Sequence, residues 1–304
     1  MKKRKVVLIT GGSGLIGRRL TEILNSAGYS VRILSRRRVL VPGARVFLWD
    51  HRLGTIEEGA LDDISIIIHL AGTNIGAERW NEKGKKSIIE SRVGSARFIH
   101  REISERGITP DLFISASATG YYGAETTDRI FTEDDPPGTG FASLTTQIWE
   151  EEANSFSNVA GRTAIVRTGI VLSSSGGMLQ RIIPTVKMHF SPLFGNGDQW
   201  MPWIHIDDIA AVYLRIIEDE SLNGIINGVS PFPVTYDTLV RGLSEVMGMR
   251  VFSPPTPEFL WKLIFREKAG ILLYGSRVSA EKLLNSGFSF SFPDLQEALS
   301  DLLH

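Results

Sequence analysis

A chain of 304 residues exceeds what one compact α/β core usually holds, which predicts a main domain and a smaller second one. Hydrophobic residues at 42%, charged residues at 22% and a formal net charge of -1 describe an ordinary globular protein, and the charge balance argues against nucleic-acid and membrane-surface partners. The absence of cysteine excludes disulfides, thiolate catalysis and cysteine-ligated metals, and it is compatible with the cytoplasmic location expected here.

Lys2, Lys3, Arg4 and Lys5 read as a solvated edge, and the apolar run behind them is too short for a signal-peptide core. No stretch approaches transmembrane length. Val6–Thr10 (VVLIT) is uncharged and β-branched, which predicts a strand buried on both faces. Gly11, Gly14 and Gly17 follow with the spacing G-x-x-G-x-x-G, and a helical apolar pattern begins at Leu15. Strand, glycine turn and helix in the first βα unit make a cradle for a dinucleotide pyrophosphate. Gly11 serves the tight turn, Gly14 the close approach of the pyrophosphate, and Gly17 the packing of helix on strand. Ser13, Leu15 and Ile16 complete this part of the expected cofactor site.

Tyr29–Leu34 reads as the second strand and runs into Ser35-Arg36-Arg37-Arg38. An acid at this strand end would select NAD through the ribose hydroxyl. Arg36, with Arg37 next, suits a 2′-phosphate instead, so the expected cofactor is NADP(H). Arg45–Trp49 is the third strand, with the candidate cofactor residue Asp50 at its end. Ile64–Leu70 is the fourth, and Leu70, Ala71 and Gly72 let a cofactor pass across the strand ends. His69, between apolar residues, reads as a packed side chain. Residues 79–107 read as a long, mostly helical stretch containing Arg92. Leu112–Ser117 is the fifth strand and leads into Thr119-Gly120-Tyr121-Tyr122, where Ser117, Tyr121 and Tyr122 gather hydroxyls at a strand's C-terminal end.

Residues 124–140 read as a loop, Phe141–Ser155 as a helix and Gly161–Arg167 as the sixth strand. The β-α alternation predicts an α/β protein with a doubly wound parallel sheet of the Rossmann kind. Beyond it, 173–177 reads as a loop and 178–186 as a helix that Pro184 ends or kinks. Asp207 or Asp208 caps the next helix, and His205 beside them carries no ligand spacing, so no metal site is expected. Ile225–Val229 is a short strand and Tyr236–Met247 a helix. Helical pieces follow near 258–273 and 278–286, with an amphipathic helix at the tail. Phe259, Trp261 and Phe265 are expected in the core of the small domain, and Gln199, Trp200, Met201 and Trp203 are candidates to line a pocket. The dinucleotide-binding domain is drawn at 1–170, completed by about 203–228. The smaller C-terminal α+β substrate domain takes 171–202 and 229–304.

Together TGGSGLIG (10–17), HLAG (69–72), SAS…YYG (115–123), FTEDDPP (131–137), VRTGIVL (166–172) and WIHIDD (203–208) resemble the extended short-chain dehydrogenase/reductases, the superfamily of sugar-nucleotide epimerases and dehydratases. RWNEKGKKSIIESR (79–92), IWEEEA, GGML…GNGDQWMPWIHIDD and RVSAEKLLNSGFSFSFPDL are similar to the atypical epimerase-family branch of SDR39U1 type, with its C-terminal DUF1731-type domain. The resemblance implies NADP(H) binding, a small-molecule substrate, and roles for Arg92, Ser115 and Arg167 near the cofactor. It places Ser117 at the superfamily's catalytic serine. Where the superfamily carries Tyr-x-x-x-Lys, this chain reads Phe141 to Thr145, which offers neither a phenolic proton nor a charge to tune one. Three readings stay open. The chain is an enzyme with a relocated acid, Tyr121 or Tyr122; or it is an enzyme whose proton comes from substrate or water; or it is a non-catalytic NADP(H)-binding redox sensor or interaction protein.

Overall fold

The structure is a computed structural model that describes residues 4–304, so Lys2 and Lys3 of the basic start lie outside the described residues. Arg4 and Lys5 are exposed, and Lys5 meets Asp111 at 3.1 Å on the surface.

β1 (Val6–Thr10) is buried along its whole length, as its composition requires. α1 (Leu15–Ser26) turns Leu20, Thr21 and Leu24 inward. β2 (Ser30–Ser35), β3 (Ala44–Asp50), a two-residue β4 (Thr55–Ile56) and β5 (Ile64–His69) follow. The helical stretch expected over 79–107 is two helices, α2 (Glu82–Glu90) and α3 (Val93–Glu105). The break falls at Ser91. The Ser91 hydroxyl accepts from the Thr73 N–H at 3.0 Å and donates to the Ile88 carbonyl at 2.9 Å, a competing use of the kind that ends helices. β6 (Leu112–Ala118), a short β7 (Ile130–Phe131), α4 (Gly140–Asn154), β8 (Thr163–Thr168) and β9 (Ile170–Ser173) come next.

Eight strands form one sheet in the order Gly224–Gly228, β8, β6, β5, β1, β2, β3, β4. β1 pairs in parallel with both β2 and β5, β2 with β3, and β5 with β6, while the short β4 runs antiparallel to β3. From β1 the chain builds outward through β2 and β3, then crosses back to β5 and β6. The order therefore reverses between β1 and β5, and the carboxyl ends of those strands are where such sheets bind ligands.

By internal contacts the chain divides into two compact units. One holds Met1–Ser117, Thr145–Val166 and Ala210–Ile226; the other holds Ala118–Leu144, Arg167–Ile209 and Asn227–His304. The first is centred on Leu8, Leu34, Phe47, Ile67, Ile99, Phe113 and Phe156, with the Phe113 and Phe156 rings stacked at 3.5 Å. His69 belongs to this core. Its Nδ1 accepts from the Thr10 hydroxyl at 2.8 Å, and its Nε2 donates to the Arg92 carbonyl at 3.2 Å. Burial lowers its pKa from 6.5 to about 4, so the ring is neutral at pH 7. A folded-state pKa below the unfolded one stabilises above the unfolded value and is lost on acidification. Equilibrium unfolding should show stability falling between pH 6.5 and about 4, by up to about 3 kcal/mol, with His69→Asn flattening that slope.

The second unit is built from short strand pairs, too brief to show a sequence period. β7 pairs with Arg277–Val278, β9 with Trp203–His205, and Trp200–Met201 with Val234–Thr235. The stretch expected as a loop at 173–177 is the turn of a hairpin between β9 and Gly176–Gly177. The helix Leu179–Lys187 continues through Pro184 for one more turn. The cap of helix Ile206–Glu218 differs from expectation. Asp207 and Asp208 lie inside its first turn, and the His205 ring accepts from the Asp207 N–H at 3.1 Å. The other His205 nitrogen faces Asp301 at 3.3 Å, and Asp208 accepts from the Ser291 and Phe292 N–H groups at 2.7 and 3.0 Å. This trio ties the C-terminal segment down.

The expected core aromatics are a further correction. Phe259 is 65% exposed and Phe265 37%, and helix Glu258–Phe265 has no buried residue. Among the described residues, no helix is long and apolar enough to cross a membrane.

Candidate functional site

In the first unit, the glycine turn has the shape its spacing predicts. Gly11 sits at φ +70°, and a Cβ there would lie 2.7 Å from the Leu70 carbonyl oxygen. Two constraints coincide: a left-handed backbone, and contact with the strand-end segment of β5. A Cβ on Gly17 would lie 2.4 Å from the Gly12 Cα, so α1 touches the turn directly. Gly12, not singled out by the sequence reading, is itself pressed against Ile33 of β2, 2.6 Å from where its Cβ would stand. Gly14 differs. A Cβ there meets only the Gly11 carbonyl oxygen, at 3.2 Å, so its outer face is open. Gly14 is also the N-cap of α1, with no side-chain cap and no acid in the first turn. The first N–H groups of this helix, on Leu15, Ile16 and Gly17, therefore have no side-chain cap and could hold an anion. Ser13 lends its carbonyl to Arg18 Nε at 3.0 Å, a residue the sequence reading left out.

At the end of β2, Arg36, Arg37 and Arg38 are all exposed. Arg38 is committed to Glu57 at 3.2 Å. Among the described residues, the guanidinium groups of Arg36 and Arg37 hold no hydrogen bond or ion pair, and only the Arg37 backbone N–H is used, by Ser35 Oγ at 3.3 Å. Two free arginine forks within one strand end suit a dianionic phosphate. Asp50 caps its own turn, accepting from the Arg52 and Leu53 N–H groups.

Behind Ala71 and Gly72 lies Arg92. A Cβ on Gly72 would stand 3.0 Å from its guanidinium carbon. Arg92 donates to the Ile88 and Thr73 carbonyls, both at 3.0 Å, and lies over the Trp149 ring at 5.0 Å. Burial lowers its pKa to about 10, which still leaves it cationic at pH 7. Ser115 is interior, its hydroxyl donating to the Ala116 carbonyl at 2.9 Å. Ser117 is buried and donates to Glu150 Oε1 at 2.6 Å, a charge-assisted bond between β6 and α4. Glu150 was missed in the sequence, where IWEEEA offers three adjacent acids and only the helical phase shows which one turns inward. Phe141 and Thr145 are both buried side chains of α4.

The unit boundary falls between Ser117 and Ala118, so the tyrosine candidates belong to the second unit. There the two part company. Tyr122 is fully buried, donating to Asn227 Oδ1 at 2.7 Å and accepting from Arg167 Nη1 at 3.0 Å. Burial pushes its pKa up to about 12, against the lowering effect of Arg167. A phenol so placed anchors the fold and exchanges no proton near pH 7. Tyr121 is half-buried, its ring 3.4 Å from the Arg167 guanidinium carbon, which is stacked on its face. Arg167 is buried and also donates to the Glu133 carbonyl at 3.3 Å, so the structure puts it to internal use in this unit. Tyr122→Phe should cost about 1–3 kcal/mol in urea denaturation, because a buried hydrogen-bonded hydroxyl is lost. Tyr121→Phe should leave stability within about 0.5 kcal/mol.

The candidate pocket residues Gln199, Met201 and Trp203 are buried structural groups. Gln199 donates to the Leu272 carbonyl at 2.7 Å, and Trp203 to Phe232 at 3.1 Å. Trp200, partly exposed, donates to the Thr127 carbonyl at 3.0 Å. A cavity of about 360 Å³ in this unit is instead lined by Gly195, Asn196, Pro255, Thr256, Pro257 and Glu258. Among the described residues, no group of three or more His, Asp or Glu side chains is placed to hold a metal.

A glycine turn pressed on the strand ends, an uncapped helix N-terminus and a sheet that reverses between β1 and β5 define a dinucleotide-binding α/β protein. The model of the NAD dependent epimerase/dehydratase family matches residues 7–227, and that of a C-terminal domain of unknown function, DUF1731, matches 256–302; the chain belongs to the NAD dependent epimerase/dehydratase family. It is 31% identical over 302 residues to the mouse epimerase family protein SDR39U1, covering 98% of this chain and 99% of that one. It is 33% identical to the epimerase family protein YfhF of Bacillus subtilis, covering 98% and 97%. The crystal structure of human SDR39U1 isoform 2 with NADPH is similar at a TM-score of 0.85, with 30% identity and 98% of each chain covered. The resemblance to the SDR39U1 branch, and the doubly wound sheet it implies, therefore hold.

Proposed function

We propose that this chain binds NADP(H) and works as an oxidoreductase- or epimerase-like enzyme on a small-molecule substrate in the cytoplasm. The observation that carries the reading is the pair of uncommitted guanidinium groups, Arg36 and Arg37, at the end of the strand beside the glycine turn. The NADPH in the human SDR39U1 crystal structure supports the same cofactor. The first turn of α1 would take the pyrophosphate, and Arg36 with Arg37 the 2′-phosphate. When bound, the nicotinamide supplies hydride exchange. Ser117 is held by Glu150, so its hydroxyl proton is committed and its remaining lone pairs accept from a substrate hydroxyl. Tyr121 is the remaining phenol for proton exchange, since Tyr122 is locked in its buried hydrogen bonds.

A second reading, an NADP(H)-binding sensor without hydride chemistry, is favoured by one observation: Phe141 and Thr145 stand where the superfamily carries its tyrosine and lysine. NADPH oxidation measured against a panel of carbonyl compounds and sugar nucleotides separates the two. Turnover that Tyr121→Phe abolishes supports the enzyme and the acid. Tight NADPH binding with no turnover on any member supports the sensor.

A further inference from the structure

Arg92 is a cation that the first unit surrounds without neutralising. Two of its N–H groups are spent on main-chain acceptors, Nη1 on the Ile88 carbonyl and Nη2 on the Thr73 carbonyl, both at 3.0 Å. Among the described residues no carboxylate pairs with it, and burial alone shifts its pKa. A half-buried charge without a counter-ion costs stability, which a ligand of opposite charge relieves. Gly72 leaves the way in. A Cβ there would stand 3.0 Å from the guanidinium carbon, 3.2 Å from Cγ and 3.3 Å from Nε, so the absent side chain uncovers the Nε side, and Gly72 is itself exposed. The Trp149 ring lies 5.0 Å from the guanidinium carbon. Trp149 is buried, at 6% exposure, and its indole N–H has no acceptor among the described residues. Two donors that lack the same thing therefore lie together.

We propose that Arg92 receives an oxyanion of the substrate, and that this substrate is a small carboxylic acid. The Nε–H and a remaining N–H beside it form the planar fork that a carboxylate meets with both oxygens. Assigning this anion to a substrate rests on the NADP(H) reading above, in which the cofactor's own phosphates are met elsewhere: the pyrophosphate by the first turn of α1, the 2′-phosphate by Arg36 and Arg37. Arg92 stands behind the segment that follows β5, and Ser117 lies near the end of β6, the strand paired with it. Paired strands run about 4.8 Å apart, so one small molecule offers a hydroxyl to Ser117 and a carboxylate to Arg92.

Malonate, a small dicarboxylate, is the probe. The full chain is labelled with phenylglyoxal, which attacks guanidine groups, and mapped by peptide mass spectrometry. Arg92 is expected to label, and malonate at about ten times its dissociation constant should slow that labelling about tenfold, with saturating NADPH present as well as without it. Arg101, exposed on α3, should label at one rate throughout. Calorimetry gives a second reading. Arg92→Lys keeps the charge and loses the fork, so it should bind malonate about tenfold more weakly or worse, with circular dichroism unchanged and NADPH affinity within about threefold of wild type. An Arg92 that never labels, labelling that malonate does not slow, or an Arg92→Lys variant that binds malonate as the wild type does overturns the proposal. Protection that malonate gives only without NADPH hands the place to a cofactor phosphate and overturns it too. NADPH that fails to bind while malonate still protects Arg92 would strike the cofactor reading and leave the oxyanion site standing.

Discussion

Replacing both Arg36 and Arg37 by alanine is expected to weaken NADPH binding by about a hundredfold or more, and to leave NADH binding within about threefold, in fluorescence titrations. Each guanidinium that meets a phosphate makes charge-assisted hydrogen bonds worth about 1.5–3 kcal/mol, and every 1.4 kcal/mol is tenfold in affinity. The contrast between the two cofactors isolates the 2′-phosphate, the one group by which they differ at this end. Both arginines are exposed and the guanidinium groups hold no partner among the described residues, so the fold should not suffer. Arg38→Ala serves as the control. Its guanidinium already pairs with Glu57, and its loss should change NADPH affinity by no more than the general loss of one nearby charge. A salt titration sharpens the comparison, because exposed charge contacts weaken as ionic strength rises.

Gly11→Ala is expected to destabilise the chain by about 2–5 kcal/mol and to abolish measurable NADPH binding where the protein still folds. Two costs add. An alanine at φ +70° is strained, and its Cβ would stand 2.7 Å from the Leu70 carbonyl oxygen and 2.9 Å from the Ala71 nitrogen. Those are backbone atoms at the end of β5, which cannot swing aside as a flexible side chain would. The structure must move the turn away from β5, and the turn is what holds the open face of Gly14. Gly14→Ala is the informative partner. Its Cβ meets a single atom, at 3.2 Å, so stability should change by less than about 1 kcal/mol while NADPH binding falls, because the methyl group fills the space over the helix N-terminus. Urea unfolding beside cofactor titration reads both quantities for each variant.

The parts legible in the sequence are those set by period and local chemistry. β1 begins and ends where VVLIT does, and the glycine spacing foretells the turn because Gly11 and Gly17 each have a steric reason, while Gly14 keeps an open face. The strands of the parallel sheet were found within a residue or two, since burial on both faces leaves an uninterrupted apolar run. What stayed illegible depends on partners distant in the chain. Ser91 breaks the long helix by bonding to Thr73, eighteen residues away, and nothing near Ser91 announces it. Asp208 reads as a helix cap until Ser291 and Phe292 are brought to it. Tyr121 and Tyr122 are adjacent and alike in sequence. Only Asn227 and Arg167 separate a locked hydroxyl from a half-buried ring stacked on a cation. Glu150 was hidden among three acids. The aromatic run at 259–265 failed for a different reason. Hydrophobicity does not by itself specify burial: a stripe at helical spacing says only that the face is apolar, and here it points outward.

The most direct measurement of the central claim is a side-by-side titration of the wild-type chain with NADPH and NADH at low and physiological salt. The account predicts NADPH tighter by at least tenfold, with the margin narrowing as salt increases. Equal affinities for the two cofactors, or no binding of either, would contradict it.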